Sequence, residues 1–444
     1  MKLEQKSVMN GVLMMSDGLT TSGDEVCGLT TPRLRRTPPT EGNCPALRFP
    51  EFSGEWKKSK LGQFGSLISG LTYSPDDVSE NGLLVFRSSN IKNNIISYDD
   101  NVYVNILIDN NYLSLPNDIL ICVRNGSQRL IGKSALIPEN VPLATHGAFM
   151  TVFRGESNKF VIHWFQTSMY YKQVYQNLGA TINSINGSDL KKFSVIFPSL
   201  PEQTKIASFL SAVDTKIDQL TQKKALLETY KKGAMQQIFS QQIRFKADDG
   251  GEYPEWEEKK LGEVFVEVKE KVGNRNIKTY SITAGKGFVS QEEKFGKDIS
   301  GAQNDKYIVL DDGFFSYNKG SSKTYKYGCI YQNKLGCKIA VPNVFISFKL
   351  KDELMIGGYF GSLFEFHYLD NFLREIISST ARMDGLLNLN KADFFNITIP
   401  VPVVQEQTKI ANFLSVIDRK IDLVSQQLEQ AKAFKKGLLQ QMFV

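Results

Sequence analysis

Basic, amide and hydroxyl side chains cluster beside a glycine in the first half of the sequence. They lie within residues 117–137, between two strand-like segments, and are Arg124, Asn125, Ser127, Arg129 and Lys133. Arginine can form two hydrogen bonds with guanine and asparagine two with adenine, while lysine and serine suit phosphates. The cluster is therefore a candidate for binding nucleic acid, although a solvated hairpin tip would contain the same residue types.

Two further segments have the same character. Aligning Gly126 with Gly320 relates the first cluster to residues 312–330, which also read as strand, basic loop and strand. The candidates in this second loop are Lys319, Ser321, Lys323 and Lys326. A third polar segment, residues 85–94, follows a strand and contributes Arg87, Ser88 and Asn90. All three segments predict contacts with base edges or phosphates.

The histidines and cysteines are not spaced as a metal site or a catalytic site would require. The three histidines are far apart in the sequence, and the five cysteines include no pair spaced for zinc. Residues 126–134 look like a phosphate-binding loop, but five residues instead of four separate the glycines, and no helix is expected to follow. We therefore expect no metal, no nucleotide site and no catalytic residues in this chain.

The composition is that of a folded globular protein. The 444 residues are 41% hydrophobic and 23% charged, with a net charge of +6, which permits a polyanionic partner without requiring one. No apolar run is long enough for a membrane helix, so we expect a cytoplasmic protein with no membrane partner. Residues 1–46 are rich in turns, and we expect a disordered extension or a misplaced start.

The sequence contains an internal repeat with a period near 200 residues. Residues 55–62 (EWKKSKLG) return at 255–262 (EWEEKKLG), and residues 202–218 return at 406–422 with 13 of 17 positions identical. The stretches between these blocks are alike only in pattern. The repeat therefore predicts two equivalent halves, in which similar frames hold different globules.

Each near-identical block has the pattern of a long helix. Apolar residues recur every three or four positions from Ile206 to Ile238 and from Ile410 to Met442, and such heptad seams predict coiled-coil pairing. Prolines at 201 and 402 are expected in the first helical turns. A homodimeric coiled coil is one alternative. Two matched seams in one chain can also pair with each other, and we predict this intramolecular antiparallel pair.

Each predicted helix also carries two aspartates one turn apart. These are Asp214 and Asp218 in the first helix and Asp418 and Asp422 in the second. Like charges at this spacing cost a few tenths of a kcal/mol, yet both helices have the pair. We interpret these carboxylates as binding sites for a basic partner, with a solvated charged face as the alternative.

The expected fold class is α+β or α/β, with two globular domains separated by two long antiparallel helices in a pseudo-twofold repeat. A short strand that stops at Pro198 or Pro400 precedes each long helix. The expected boundaries are 1–46 for the extension, 47–198 for the first globule, 199–243 for the central helix, 244–400 for the second globule and 401–444 for the C-terminal helix.

From residue 47 onward, this arrangement resembles the specificity subunit of type I restriction-modification enzymes. The resemblance is carried by the repeated EQTKIA-x-FLS helices, the EW-x-x-x-x-LG segments and the strand before each helix. It implies that each globule is a target recognition domain that reads one half of a split, asymmetric site in double-stranded DNA. It also implies that the helices dock two methyltransferase subunits, which restriction and translocase subunits can join.

The same resemblance implies that this chain is not itself an enzyme. S-adenosylmethionine, ATP and Mg²⁺ would be used by the partner subunits, for adenine methylation and ATP-dependent cleavage. One alternative is a coiled-coil scaffold that binds only proteins, which predicts no salt-dependent DNA binding. Another is a self-contained restriction or methylation enzyme, which the missing cofactor and nuclease motifs disfavour.

Overall fold

The computed structural model describes residues 25–26, 29–30, 34–36, 43–178, 183–296, 301–320, 325–377 and 387–444. The chain divides into unit 1, residues 1–222 and 425–444, and unit 2, residues 223–424. The expected extension, 1–46, lies mostly outside the described residues, as do Ser321 and Lys323 of the second loop. Each unit therefore contains one globule and parts of both long helices.

Unit 1 builds its globule from short strands and three short helices. The strands are β1 Glu25–Val26, β2 Leu29–Thr30, β3 Arg35–Arg36, β4 Leu47–Arg48, β5 Lys57–Lys60, β6 Ser66–Ser69, β7 Val78–Ser79, β8 Leu83–Phe86, β9 Ile91–Lys92, β10 Ile95–Ile96, β11 Tyr103–Val104, β12 Ile119–Cys122, β13 Ser134–Leu136, β14 Ala144–His146, β15 Met150–Arg154 and β16 Ser194–Phe197. The short helices are α1 Asn158–Trp164, α2 Ser168–Gln176 and α3 Gly187–Lys191.

Two four-stranded sheets of unit 1 pack against each other through β12. The sheets have the orders β14-β8-β11-β7 and β13-β12-β15-β6. Leu120 of β12 belongs to the same apolar cluster as Leu84 and Phe86 of β8, whereas its neighbour Ile121 belongs to a cluster with Phe160 of α1. Because both faces of β12 are covered, all four of its residues are apolar and buried.

Unit 2 builds its globule from the remaining short elements. The strands are β17 Glu257–Lys260, β18 Phe265–Glu267, β19 Tyr280–Thr283, β20 Gly287–Ser290, β21 Ile308–Leu310, β22 Phe315–Asn318, β23 Cys329–Gln332, β24 Ile339–Val341, β25 Ile346–Leu350 and β26 Thr398–Val401. The short helices are α5 Leu261–Val264, α6 Gln291–Phe295, α7 Gly357–Glu365, α8 Asp370–Ile376 and α9 Lys391–Phe395. Strands β18-β25-β22-β23 form an antiparallel sheet whose Phe315 and Phe348 rings stack at 5.6 Å.

The two long helices are the first long helix, α4 Leu200–Phe239, and the second long helix, α10 Val404–Met442. Every predicted seam position from Ile206 to Ile238 and from Ile410 to Met442 is buried or half-buried. Most of the exposed positions between them are polar, and within the ranges given above no helix is both long and apolar enough to cross a lipid bilayer. The predicted amphipathic helices are confirmed.

The helices run antiparallel in each unit. In unit 1, Leu210 of the first helix shares one core with Leu438 of the second. In unit 2, Ile238 shares a core with Leu414. Each unit therefore joins the N-terminal half of one helix to the C-terminal half of the other, which confirms the predicted antiparallel pair.

An arginine bonded to a buried glutamate anchors the start of each long helix. Arg48 forms two hydrogen bonds with Glu202, at 2.6 and 2.7 Å. In the second repeat, Arg244 bonds in the same way to Glu406, at 3.3 and 2.8 Å. Both carboxylates are at least 99% buried, where a bidentate guanidinium offsets the loss of water. The repeated glutamates of the EQTKIA blocks therefore fix each helix to its own globule.

The strands before the long helices pair with the EW-x-x-x-x-LG segments. Strand β16 pairs with β5, and β26 pairs with β17. Strand β16 stops before Pro198 as expected, but β26 continues through Pro400 to Val401, so the predicted stop at Pro400 is wrong. Proline is tolerated because a strand in a two-stranded sheet has one unpaired edge. The second long helix also begins at Val404, two residues after Pro402.

Candidate nucleic-acid interface

The first candidate loop connects β12 to β13, and a glycine determines its backbone conformation just before β13. Ile121 lies opposite Ser134 in an antiparallel pair, which confirms the predicted strand, loop and strand. Gly132, just before β13, has a φ of +82°, and a Cβ there would lie 2.9 Å from a methyl carbon of Val174. Only glycine fits this position without strain, so the loop enters β13 along a single path.

Two of the three candidate segments meet in unit 1. The side-chain amide of Asn125 donates a hydrogen bond to Ser88 Oγ at 3.1 Å. On the other side of the loop, Asn183 donates from its side chain to the carbonyl oxygen of Gly126 at 3.1 Å. The two segments therefore form one surface, which we name polar surface 1. It consists of Arg87, Ser88, Arg124, Asn125, Ser127, Arg129 and Lys133.

The ends of polar surface 1 are open to solvent. Arg124, Ser127 and Arg129 are exposed, and Lys133 is half-buried. Arg87 is half-buried and forms an ion pair with an aspartate carboxylate at 2.9 Å. The surface thus presents guanidinium, hydroxyl and amine donors together, which suits an anionic, acceptor-rich ligand such as DNA.

Phe149 is an aromatic neighbour of this surface that the sequence analysis missed. Its side chain is 57% exposed, and the guanidinium of Arg124 lies 5.8 Å from its ring centroid. Its carbonyl oxygen accepts the backbone N–H groups of Val123 and Arg124 at 3.0 and 3.1 Å. The sequence could not identify this residue, because no pattern distinguishes a single exposed phenylalanine from a buried one.

Asn90 does not lie on polar surface 1. Its side chain is fully buried. The side-chain oxygen accepts the backbone N–H of Arg87 at 2.8 Å, and the side-chain nitrogen donates to the carbonyl of Ser97 at 3.0 Å. The expected contact between Asn90 and DNA does not fit this burial. Asn90 instead fixes the turn that presents Arg87 and Ser88.

The second candidate loop connects β22 to β23 in unit 2. Asn318 lies opposite Cys329 in an antiparallel pair, so strand, loop and strand are again confirmed. Gly328 has a φ of +78°, and a Cβ there would clash with the carbonyl oxygen of Asn318. Lys319 is half-buried and Lys326 is exposed. Each globule therefore has a loop between two paired strands that ends at a left-handed glycine, and the two loop sequences differ.

The ring of Tyr325 supports the far side of the second loop. It stacks on His367, with 4.4 Å between ring centroids. The side-chain amide of Asn318 donates to the carbonyl of Ile282 at 3.2 Å and accepts the backbone N–H of Gly320 at 2.9 Å. Local hydrogen bonds and ring stacking thus hold both described ends of the loop.

One aspartate of each predicted pair bonds to a lysine of the same unit. Asp214 lies 2.5 Å from Lys435 Nζ, and Asp418 lies 2.6 Å from Lys231 Nζ. Burial raises the pKa of the Asp214 carboxyl, although Lys435 opposes this shift. These two carboxylates therefore have a structural role within the helix pair.

The other aspartate of each pair lies nearer to solvent. Asp218 is half-buried and accepts a hydrogen bond from Gln222 Nε2 at 2.7 Å, and Asp422 is exposed. Both remain accessible to a partner. Binding of a basic partner stays a prediction for all four aspartates.

The buried histidines are neutral core groups. His146 bonds through Nδ1 to Ser114 Oγ at 3.1 Å and through Nε2 to the carbonyl of Ile68 at 3.0 Å, and burial lowers its pKa. Burial, with a smaller effect of Lys435, lowers the pKa of His163 to about 3. Its approach to the Asp214 carboxylate, at 3.8 Å, is therefore not an ion pair near neutral pH. In the part of the chain that the structure describes, no three His, Cys, Asp or Glu side chains are grouped to hold a metal ion.

Both repeats are similar to known proteins. Residues 53–229 and 253–433 match the family described as type I restriction modification DNA specificity domain. The chain is 22% identical over 407 residues to the type I restriction enzyme StySPI specificity subunit of Salmonella potsdam, covering 87% of each chain. It is 25% identical over 358 residues to the putative type I restriction enzyme MjaX specificity subunit of Methanocaldococcus jannaschii, covering 74% of this chain and 78% of that one.

The fold is also similar to that of a solved structure. The crystal structure of the type I restriction-modification system S subunit from M. genitalium matches with a TM-score of 0.59 and 16% sequence identity. The match covers 90% of this chain and 99% of that one. At this identity the likeness concerns the fold, and it includes both repeats.

Proposed function

Because this chain belongs to the family of type I restriction modification DNA specificity domains, we propose that it reads a split, asymmetric site in double-stranded DNA. The observation that carries this proposal is the pair of equivalent loops on one repeated frame, β12 to β13 and β22 to β23. Their side chains differ, and different donors and acceptors select different bases. Two unlike readers therefore recognise two unlike half-sites.

In this proposal, polar surface 1 reads one half-site. Arg124 and Arg129 are exposed and carry guanidinium groups that can form paired hydrogen bonds with guanine. Asn125 is bonded to Ser88, which leaves the backbone and hydroxyl groups of the loop to contact phosphates. The other half-site is contacted by the second loop, through Lys319, Ser321, Lys323 and Lys326.

The partners of the chain supply the chemistry. We propose that two methyltransferase subunits dock on the long helices, near the solvent-facing Asp218 and Asp422, and that restriction and translocase subunits join them in the cytoplasm. These subunits bind S-adenosylmethionine, ATP and Mg²⁺. The present chain acts without catalytic residues and determines where methylation or cleavage takes place.

The test is to express the chain with its methyltransferase subunit in a host that lacks adenine methylation, and to sequence the genome for modified bases. The expected result is one new motif of two short halves around a fixed gap. A complex that forms but adds no methylation, and that binds no DNA in a salt-dependent way, would favour a protein scaffold instead.

A domain exchange tests the two-reader arrangement. Replacement of residues 64–195 with the corresponding globule of another specificity subunit should change one half of the methylated motif and leave the other half intact. The matched exchange, of residues 265–397, should change only the other half. A change of both halves in either chimera would contradict the proposal.

A further inference from the structure

Unit 1 contains a cleft of about 630 Å³ between helix α1 and the start of the first long helix. Apolar side chains form much of its walls, including Phe160 and the 57% exposed Leu200. Serine and threonine of the long helix, such as Ser208, lie along one side. No residue of polar surface 1 lines this cleft, so it is separate from the proposed DNA-reading loop.

Two buried side-chain oxygens in the lining of this cleft lack a hydrogen-bond donor in the described structure. They are Oε1 of Gln203 and Oδ1 of Asn158, and the two residues are 6% and 3% exposed. The nitrogen of Gln203 donates to the carbonyl of Pro198 at 2.9 Å, and that of Asn158 donates to the carbonyl of Asn117 at 2.8 Å. These bonds fix both amides, so the two oxygens are acceptors that a ligand can satisfy.

The second repeat contains the same glutamine with its oxygen bonded. Gln407 occupies the position equivalent to Gln203, and its nitrogen donates to the carbonyl of Pro402 at 2.8 Å. Its oxygen, however, accepts the backbone N–H of Ile356 at 3.0 Å. The repeat thus supplies an internal comparison, in which a backbone donor bonds to the oxygen of Gln407 while the equivalent oxygen of Gln203 has no donor.

The difference arises from how closely a short helix approaches the long one. Helix α7 carries Gly358, where a Cβ would lie only 3.2 Å from the Cβ of Ala411. The position one residue into helix α1 is Lys159, whose longer side chain is exposed. Helix α7 therefore closes on its long helix, while helix α1 leaves a cleft beside Ala207.

We propose that this cleft receives an arginine side chain of a methyltransferase subunit. Its rim is acidic, with exposed Glu139 and Glu156 and one lysine, Lys159, which pairs with Glu139 at 3.4 Å. A guanidinium carries five donors and no acceptor, and its stem packs on apolar walls. It can therefore bond to both orphaned oxygens and contact Glu156.

Both oxygens are buried in the unbound chain, so this binding requires side chains of the lining to move, and Lys159 and Leu200 are exposed members of that lining. Arginines inserted into such pockets contribute strongly to the affinity of protein interfaces. The inference rests on the proposed docking of methyltransferase subunits and adds a contact outside the exposed faces of the helices.

The test measures binding of the purified methyltransferase subunit to the full chain by calorimetry, without DNA. Ser208→Trp fills the cleft from the exposed side of the long helix, and Glu156→Lys reverses the charge at its rim. Both should raise Kd about tenfold or more. Glu80→Lys makes the same charge change at an exposed position of unit 1 that does not line the cleft, and should keep Kd within about twofold.

Each outcome decides the inference. Unchanged affinity in Ser208→Trp and Glu156→Lys would overturn it. Weaker binding in Ser208→Trp alone would mean that the partner contacts the cleft without inserting an arginine. That result would also overturn the inference. If circular dichroism shows that Ser208→Trp does not fold, Glu156→Lys decides, because its side chain is exposed. Failure of the unaltered chain to bind the subunit would instead overturn the proposed docking, and this inference with it.

Discussion

Asp214 bonds to Lys435 in unit 1 as Asp418 bonds to Lys231 in unit 2, at N···O distances of 2.5 and 2.6 Å. Asp214 and Lys231 are 17 residues apart in one helix, as are Asp418 and Lys435 in the other. The two ion pairs therefore have the same antiparallel register. A charged pair inside an apolar seam favours one register over others, and the repeat places it once in each unit.

The second partner of each of these lysines differs between the repeats and predicts unequal effects of mutation. Lys231 also bonds to the carboxylate of Glu365 at 2.6 Å, whereas Lys435 bonds to the neutral amide of Gln166 at 2.5 Å. Burial raises the pKa of the Asp214 carboxyl despite Lys435, so its charge costs stability at pH 7. Asp214→Asn should therefore raise the free energy of unfolding, by up to about 1 kcal/mol because the side chain is partly exposed. Asp418→Asn leaves Lys231 bonded to Glu365 and should change it by less. Urea denaturation of the two variants at pH 7 measures this, and a loss of stability in Asp214→Asn would contradict it.

His163 predicts a loss of stability in acid. Its folded pKa is about 3 and its ordinary value 6.5, so between these values the unfolded chain binds a proton that the folded chain does not. The stability that this group contributes is fully present above pH 6.5. Below that pH, the free energy of unfolding falls by about 1.4 kcal/mol per pH unit. His163→Gln should remove this dependence.

The prediction is checked by comparing how the free energy of unfolding changes with pH in the unaltered chain and in His163→Gln. Going from pH 7 to pH 5, the unaltered chain should lose about 2 kcal/mol more than His163→Gln, because all other titrating groups are shared. Parallel losses in the two chains would mean that His163 takes up a proton in the folded state.

Regular patterns were predictable from the sequence, and long-range side-chain bonds were not. The seam from Ile206 to Ile238 repeats over many turns, so its helix could be assigned before any partner was known. Arg48 reaches Glu202 across more than 150 residues, and no spacing rule relates them. Asn90 could be placed after a strand, but whether its amide points into the turn or out of it depends on backbone groups that fold around it.

The same distinction applies to the candidate interface. The strand–loop–strand segments at 117–137 and 312–330 were predicted because strands and glycine loops have local signatures. The bond between Asn125 and Ser88 brings together two segments that are separate in sequence. The exposure of Phe149 depends on neighbouring loops, so a phenylalanine that follows a strand would ordinarily be assigned to the core.

The Asn125–Ser88 hydrogen bond predicts a coupling between two loop segments in DNA recognition. Loss of either partner should loosen polar surface 1, and loss of the second should then have little further effect. A double-mutant cycle with Asn125→Ala and Ser88→Ala should give a coupling of about 1 kcal/mol in the affinity of the assembled complex for its target DNA. Additive losses would mean that the two residues act independently.

Phe149 predicts an aromatic contribution to the half-site read by unit 1. Its ring is exposed beside Arg124 and its backbone is fixed by two hydrogen bonds, so it can stack on a base or contact a thymine methyl group with little loss of freedom. Phe149→Ala should weaken binding of the complex to its target about 5- to 150-fold, since such contacts contribute about 1–3 kcal/mol. Phe149→Trp should keep most of the affinity because it keeps an aromatic face. Binding is measured by fluorescence anisotropy on the target and on DNA altered in one half-site at a time. Equal affinity of Phe149→Ala and the unaltered chain would place the ring away from the DNA.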